Sequence, residues 1–71
     1  MSTAKIVTIH SDYITLAQFL KLTSMIDSGG SSKYFLNTNA VLVNSQLENR
    51  RGCKLRRGDT ITVNQISFTI Q

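Results

Sequence analysis

Ile14-Thr15-Leu16-Ala17-Gln18-Phe19-Leu20-Lys21 is the stretch in which a helix has to begin. Thr15 and Gln18 stand three apart, so the Thr15 hydroxyl can accept the Gln18 backbone N–H while the Gln18 side chain returns to the Thr15 backbone. Ile14 and Phe19 flank this box where a hydrophobic staple places its two apolar residues. Leu16, Phe19, Leu20 and Thr23 then follow the i, i+3, i+4, i+7 stripe of a helix that docks by one face, which leaves Lys21 off the stripe and exposed. Upstream, Lys5 to Ile9 is rich in β-branched residues and reads as a short strand. Downstream, Asp27-Ser28-Gly29-Gly30 closes the region, with Ser28 or Asp27 as N-cap of a second short helix over about residues 30–37. Phe35 and Leu36 are its expected buried anchors, and Asn39 its left-handed cap.

From Val41 the period changes. Val41 and Val43 alternate with Leu42 and Asn44 in a strand that turns at Asn44-Ser45. Ile61 and Val63 alternate with Thr60 and Thr62, and after Asn64-Gln65 the residues Ile66, Phe68 and Ile70 alternate with Ser67 and Thr69, giving a hairpin with one apolar face. Two short helices on a small antiparallel sheet make an α+β domain. Seventy-one residues without proline or repeat are expected to form one domain over 1–71, with a net stability of about 3–5 kcal/mol.

Between the strands lies Arg50-Arg51-Gly52-Cys53-Lys54-Leu55-Arg56-Arg57-Gly58-Asp59, which holds five of the eight basic residues and no acid before Asp59. The formal charge is +4 and the isoelectric point about 9.7. Such a concentration of cations attracts polyanions, nucleic acid foremost; the plainer reading is a solvated loop that aids solubility. Cys53 is the only cysteine and His10 the only histidine. An intramolecular disulfide and a cysteine-based zinc site are therefore excluded. Cations flank Cys53 and can lower a thiol pKa, but a lone cysteine among basic residues reads as incidental and not as reactive, and His10 reads as a strand-end residue. Asp12, Asp27, Glu48 and Asp59 are scattered as turn, cap or loop residues, so no catalytic constellation, cofactor or metal is expected. No segment reaches the roughly 20 apolar residues of a membrane span, and the cytoplasm is the expected compartment.

Ser28-Gly29-Gly30-Ser31-Ser32-Lys33 is not a nucleotide-binding loop, because two serines separate the last glycine from the lysine. It offers either a tight inter-helix turn or a helix start whose N–H groups meet a phosphate; beside the basic segment the phosphate reading takes precedence. Of the aromatic residues, Tyr34 alone is kept as a candidate base contact.

Three blocks, taken together, resemble the S4 domain of ribosomal protein S4, pseudouridine synthases and tyrosyl-tRNA synthetases, from Ile14 to about Val63. They are Leu16-Ala17-Gln18-Phe19-Leu20-Lys21, Ser28-Gly29-Gly30-Ser31-Ser32-Lys33, and Val41-Leu42-Val43-Asn44 followed by Leu55-Arg56-Arg57-Gly58-Asp59. Phe19-Leu20-Lys21-Leu22, Ser28-Gly29-Gly30 and Arg50-Arg51-Gly52-Cys53-Lys54-Leu55 are similar to the short stand-alone bacterial S4 proteins of the YaaA and YbcJ type. The resemblance implies an S4-like (alpha-L) fold that presents a basic groove to structured RNA, rRNA or tRNA-like, with a role in ribosome assembly or translation. It implies Lys21, Lys33, Arg50, Arg51, Lys54, Arg56 and Arg57 as phosphate contacts and Ser28, Gly29 and Gly30 as backbone donors. The chain departs from the family where Asn39 and Ser45 replace glycines. Ser45 adopts positive φ less readily, so the turn after Asn44 is expected to differ in type. Two other partners fit the same charge: duplex DNA, and an acidic protein for which the chain would be an adaptor.

Overall fold

The Thr15–Gln18 box forms as its spacing requires. In the computed structural model, which describes residues 4–27 and 31–71, the Gln18 N–H donates to Thr15 Oγ1 at 3.2 Å and the Thr15 N–H to Gln18 Oε1 at 2.8 Å. Helix α1 runs Leu16–Leu22 from this cap. Leu16, Phe19 and Leu20 are fully buried and Lys21 is exposed. The helix ends on a residue that no sequence signal marks. Ser24 takes φ 62°, its N–H donates to the Lys21 carbonyl, and the Met25 N–H donates to the Leu20 carbonyl. These paired bonds are the usual left-handed helix stop, normally built on glycine or asparagine.

Helix α2 spans Ser32–Thr38. Phe35 and Leu36 are its buried anchors, as expected, and Ser32 is fully buried with them. Two expectations fail here. The N-cap is Ser31, with no side-chain bond, so Asp27 is not the cap; Ser28, Gly29 and Gly30 lie outside the described residues. Asn39 is extended, at φ −131°, not left-handed. Its side-chain Nδ2 donates to the Phe35 carbonyl and to Thr38 Oγ1, which closes the helix while the backbone runs straight on into the next strand.

Strands β1 (Lys5–Val7), β3 (Val41–Val43), β4 (Gln46–Leu47), β6 (Thr60–Val63) and β7 (Ile66–Ile70) form a five-stranded sheet in the order β1-β7-β6-β3-β4. The sheet is mixed and not wholly antiparallel, because β1 pairs with β7 in parallel, Lys5 opposite Phe68. No hairpin joins these two strands, so turn geometry does not dictate their direction. The expected β1 is also shorter than its β-branched run: it stops at Val7, and Ile9 is buried beyond it. The other three pairings are antiparallel. Two of them close through two-residue turns, Asn44-Ser45 and Asn64-Gln65, in which all four residues have positive φ. Paired positive φ is the type I′ geometry that matches strand twist, so Ser45 does reach φ 71° in place of the different turn expected of it. Strands β2 (Ile14–Thr15) and β5 (Lys54–Leu55) form a separate antiparallel pair.

One apolar cluster receives side chains from both helices and both sheets, among them Ile14, Phe19, Phe35, Leu55, Ile61, Phe68 and Ile70. Phe19 meets Phe68 edge to face, with ring centroids 5.1 Å apart, the arrangement favoured by the ring quadrupole.

Candidate nucleic-acid interface

Strand pairing fixes the basic segment against α1. Leu55 is fully buried while Lys54 and Arg56 on either side of it are exposed, because alternate residues of an extended chain point opposite ways. β5 pairs with β2, which leads directly into α1, and Thr15 stands opposite Lys54. Two backbone bonds complete the attachment: the Leu16 N–H donates to the Cys53 carbonyl at 2.8 Å and the Ala17 N–H to the Arg51 carbonyl at 3.0 Å. Together with the Thr15–Gln18 box they satisfy the first donors of α1, which every helix leaves without a partner inside itself.

The two acids at the ends of the segment hold its backbone. Glu48 accepts the Arg50 N–H at 3.1 Å through Oε2, and also meets the Arg50 guanidinium through Oε2 at 2.9 Å and Oε1 at 3.2 Å. The Arg50 hydrogen bonds hold the Glu48 carboxyl at about 2, well below its ordinary value, and the guanidinium is raised in turn by the carboxylate. The pair therefore stays charged at neutral pH. Asp59 accepts the Arg56 N–H at 2.7 Å through Oδ2 and Asn44 Nδ2 at 3.1 Å through Oδ1. The turn Arg56-Arg57-Gly58-Asp59 closes with the Asp59 N–H on the Arg56 carbonyl. Gly58 sits at φ 95°, a conformation that disfavours any side chain.

The five cations of the segment are not equivalent. Arg50 lies on Glu48. Arg57 Nη2 donates to the Ile9 carbonyl at 3.1 Å, tying the turn to the chain just after β1. Lys54 Nζ stands 5.0 Å over the Tyr13 ring, within cation–π range. Arg51 and Arg56 are exposed, and among the described residues their side chains make no hydrogen bond, ion pair or ring contact. Arg50, Gly52, Cys53, Lys54 and Arg56 line a shallow depression of about 460 Å³.

The remaining candidates divide. Lys21 shares a second depression with Ile14, Gln18 and Leu22, so it stands along α1 from the β2–β5 pair. Lys33 and Tyr34 are exposed on α2, and Tyr34 borders a third depression with Met25, Ile26 and Asn64. No hydrogen bond or ring contact joins Lys33 to the basic segment among the described residues. The Cys53 thiol is raised, first by burial and then by the Glu48 carboxylate, and the nearby Arg50 charge does not outweigh them. Sequence reasoning also missed Glu48, Asp59 and Tyr13 as the groups that hold these cations and their backbone. No described helix is long and apolar enough to cross a membrane.

The chain matches the S4 domain family over residues 7–71. It is 49% identical over 57 residues to the "Probable ribosome maturation protein RlbA" of Bacillus subtilis (strain 168), a span that covers 80% of each chain. With a family match over nearly the whole sequence and a relative this similar, the chain belongs to the S4 domain family.

Proposed function

We propose that this protein is a single S4-like RNA-binding domain of the alpha-L arrangement, which binds structured RNA without catalysing a reaction on it and acts in ribosome maturation in the cytoplasm. The observation that carries the reading is the attachment of the basic segment to α1, with Arg51, Lys54 and Arg56 left facing solvent. The phosphate contacts are drawn from the cations of residues 50–57, joined by Lys21 and Lys33. Such contacts orient an RNA but read little of its sequence, so selectivity comes from RNA shape. The name of the Bacillus subtilis relative supports a ribosomal setting, with rRNA the target class it favours.

Titration of a labelled RNA stem–loop, with a DNA stem–loop of the same sequence alongside at several salt concentrations, tests this. Four to six neutralised phosphates give a log–log salt slope of about −3 to −5, and RNA is expected to bind more tightly than DNA. Equal binding of the two would reduce the surface to a general polyanion site. No salt-dependent binding of either would overturn the RNA reading in favour of an acidic protein partner.

A further inference from the structure

Glu48 is the one acid that stands against the cations of the segment at its start, and simple electrostatics casts it as a defect in an RNA surface. Its position says otherwise. The Glu48 backbone is anchored to the sheet, where its N–H donates to the Val41 carbonyl at 2.9 Å, and only 15% of its side chain is exposed against 78% for Arg50. From that fixed point the carboxylate holds both the backbone N–H and the guanidinium of Arg50. Arg50 in turn opens the turn that closes with the Cys53 N–H on the Arg50 carbonyl at 3.1 Å. That same turn presents the Arg51 and Cys53 carbonyls to α1. A two-point guanidinium–carboxylate fork fixes direction as well as distance, so the chain from β3 to Glu48, Arg50, Cys53 and α1 is continuous.

We infer that Glu48 and Arg50 form a clasp that positions the phosphate-binding segment, that Arg50 is a positioning residue whose charge is met by Glu48, and that the phosphates at this segment are met by Arg51, Lys54 and Arg56. The inference rests on the RNA reading above and assigns roles within it. It makes an unusual demand: removing a negative charge from the edge of a polyanion site weakens binding.

The test is a double-mutant cycle on RNA stem–loop affinity across salt concentrations, with urea unfolding of each variant to restrict the comparison to folded protein. The variants are E48A, R50A, R50K and the E48A/R50A double, beside R51A and R56A. E48A is expected to lower affinity by about threefold or more although the net charge rises, and the double variant to bind like either single one, as coupled neighbours do. R50A and R50K both weaken binding yet keep the wild-type salt slope, whereas R51A and R56A each reduce the slope by about one. A tighter-binding E48A, or an R50A slope reduced by one with R50K restoring it, would overturn the clasp and make Arg50 a direct phosphate contact. If wild-type binding itself lacks salt dependence, or R51A and R56A leave it unchanged, the RNA reading of the segment fails, and the inference with it.

Discussion

Asp59 uses its two carboxylate oxygens on different partners: Oδ2 fixes the Arg56 backbone and Oδ1 holds Asn44, whose own Oδ1 accepts the Thr60 N–H at 3.0 Å. Hydrogen bonds to a charged acceptor contribute about 1.5–3 kcal/mol. Asp59→Ala is therefore expected to destabilise the fold by about 2 kcal/mol, read as a lower urea midpoint with unchanged slope. Asn44→Ala is expected to destabilise by a comparable amount, since it removes the bonds to Asp59 and Thr60 together and leaves an alanine at φ 51°. That Asp59 belongs to a turn is evident in Arg57-Gly58-Asp59, because glycine beside an acid is turn chemistry. Its bond to Asn44 is not, since it joins residues fifteen apart through a strand pairing that no local pattern records. The site was legible to the same degree. Five cations in eight positions announce a basic surface, but that Arg57 reaches Ile9, forty-eight residues away, emerges only once β1 lies beside β7.

The elements that local chemistry specifies are the ones the sequence reveals. α1 is marked by a cap, a staple and a stripe, all within one or two turns of chain, and the hairpin β6–β7 by strict alternation. The pair β2–β5 is two residues on each side, too short to carry a period, and the parallel β1–β7 contact depends on the whole chain between them. The two type I′ turns show a different kind of departure. Ser45 and Gln65 hold φ 71° with exposed side chains, where the turn favours glycine. The left-handed conformation costs a side-chain-bearing residue roughly 1–2 kcal/mol, and glycine gives back about 0.5–1 kcal/mol through its freer unfolded state. Ser45→Gly and Gln65→Gly are each expected to stabilise by about 0.5–1 kcal/mol. For a domain of this size that is a rise of about 2–8 °C in Tm, measurable by thermal circular dichroism. A fall in Tm for either would mean that the serine or glutamine side chain supports its turn.

At the scale of the molecule, one apolar cluster holds both helices and both sheets, so its stability rests on few side chains. Phe19 lies fully buried at the centre, against Phe68. Phe→Ala in a core costs about 3–5 kcal/mol, about the whole stability of about 3–5 kcal/mol available to a domain of this length. Phe19→Ala is expected to be largely unfolded at 25 °C, seen as loss of cooperative thermal melting; a variant that still melts cooperatively would mean that the cluster repacks. The closed start of α1 has a separate consequence, in time. Its first N–H groups are turned onto the carbonyls of Arg51 and Cys53, so no oriented backbone cradle is left there to lock an incoming phosphate in one pose. On the proposed reading, long arginine and lysine side chains make the encounter instead. Attraction at a distance speeds arrival, and each contact can be released singly as counterions return. If the proposed RNA reading holds, a surface of this kind captures quickly and lets go quickly.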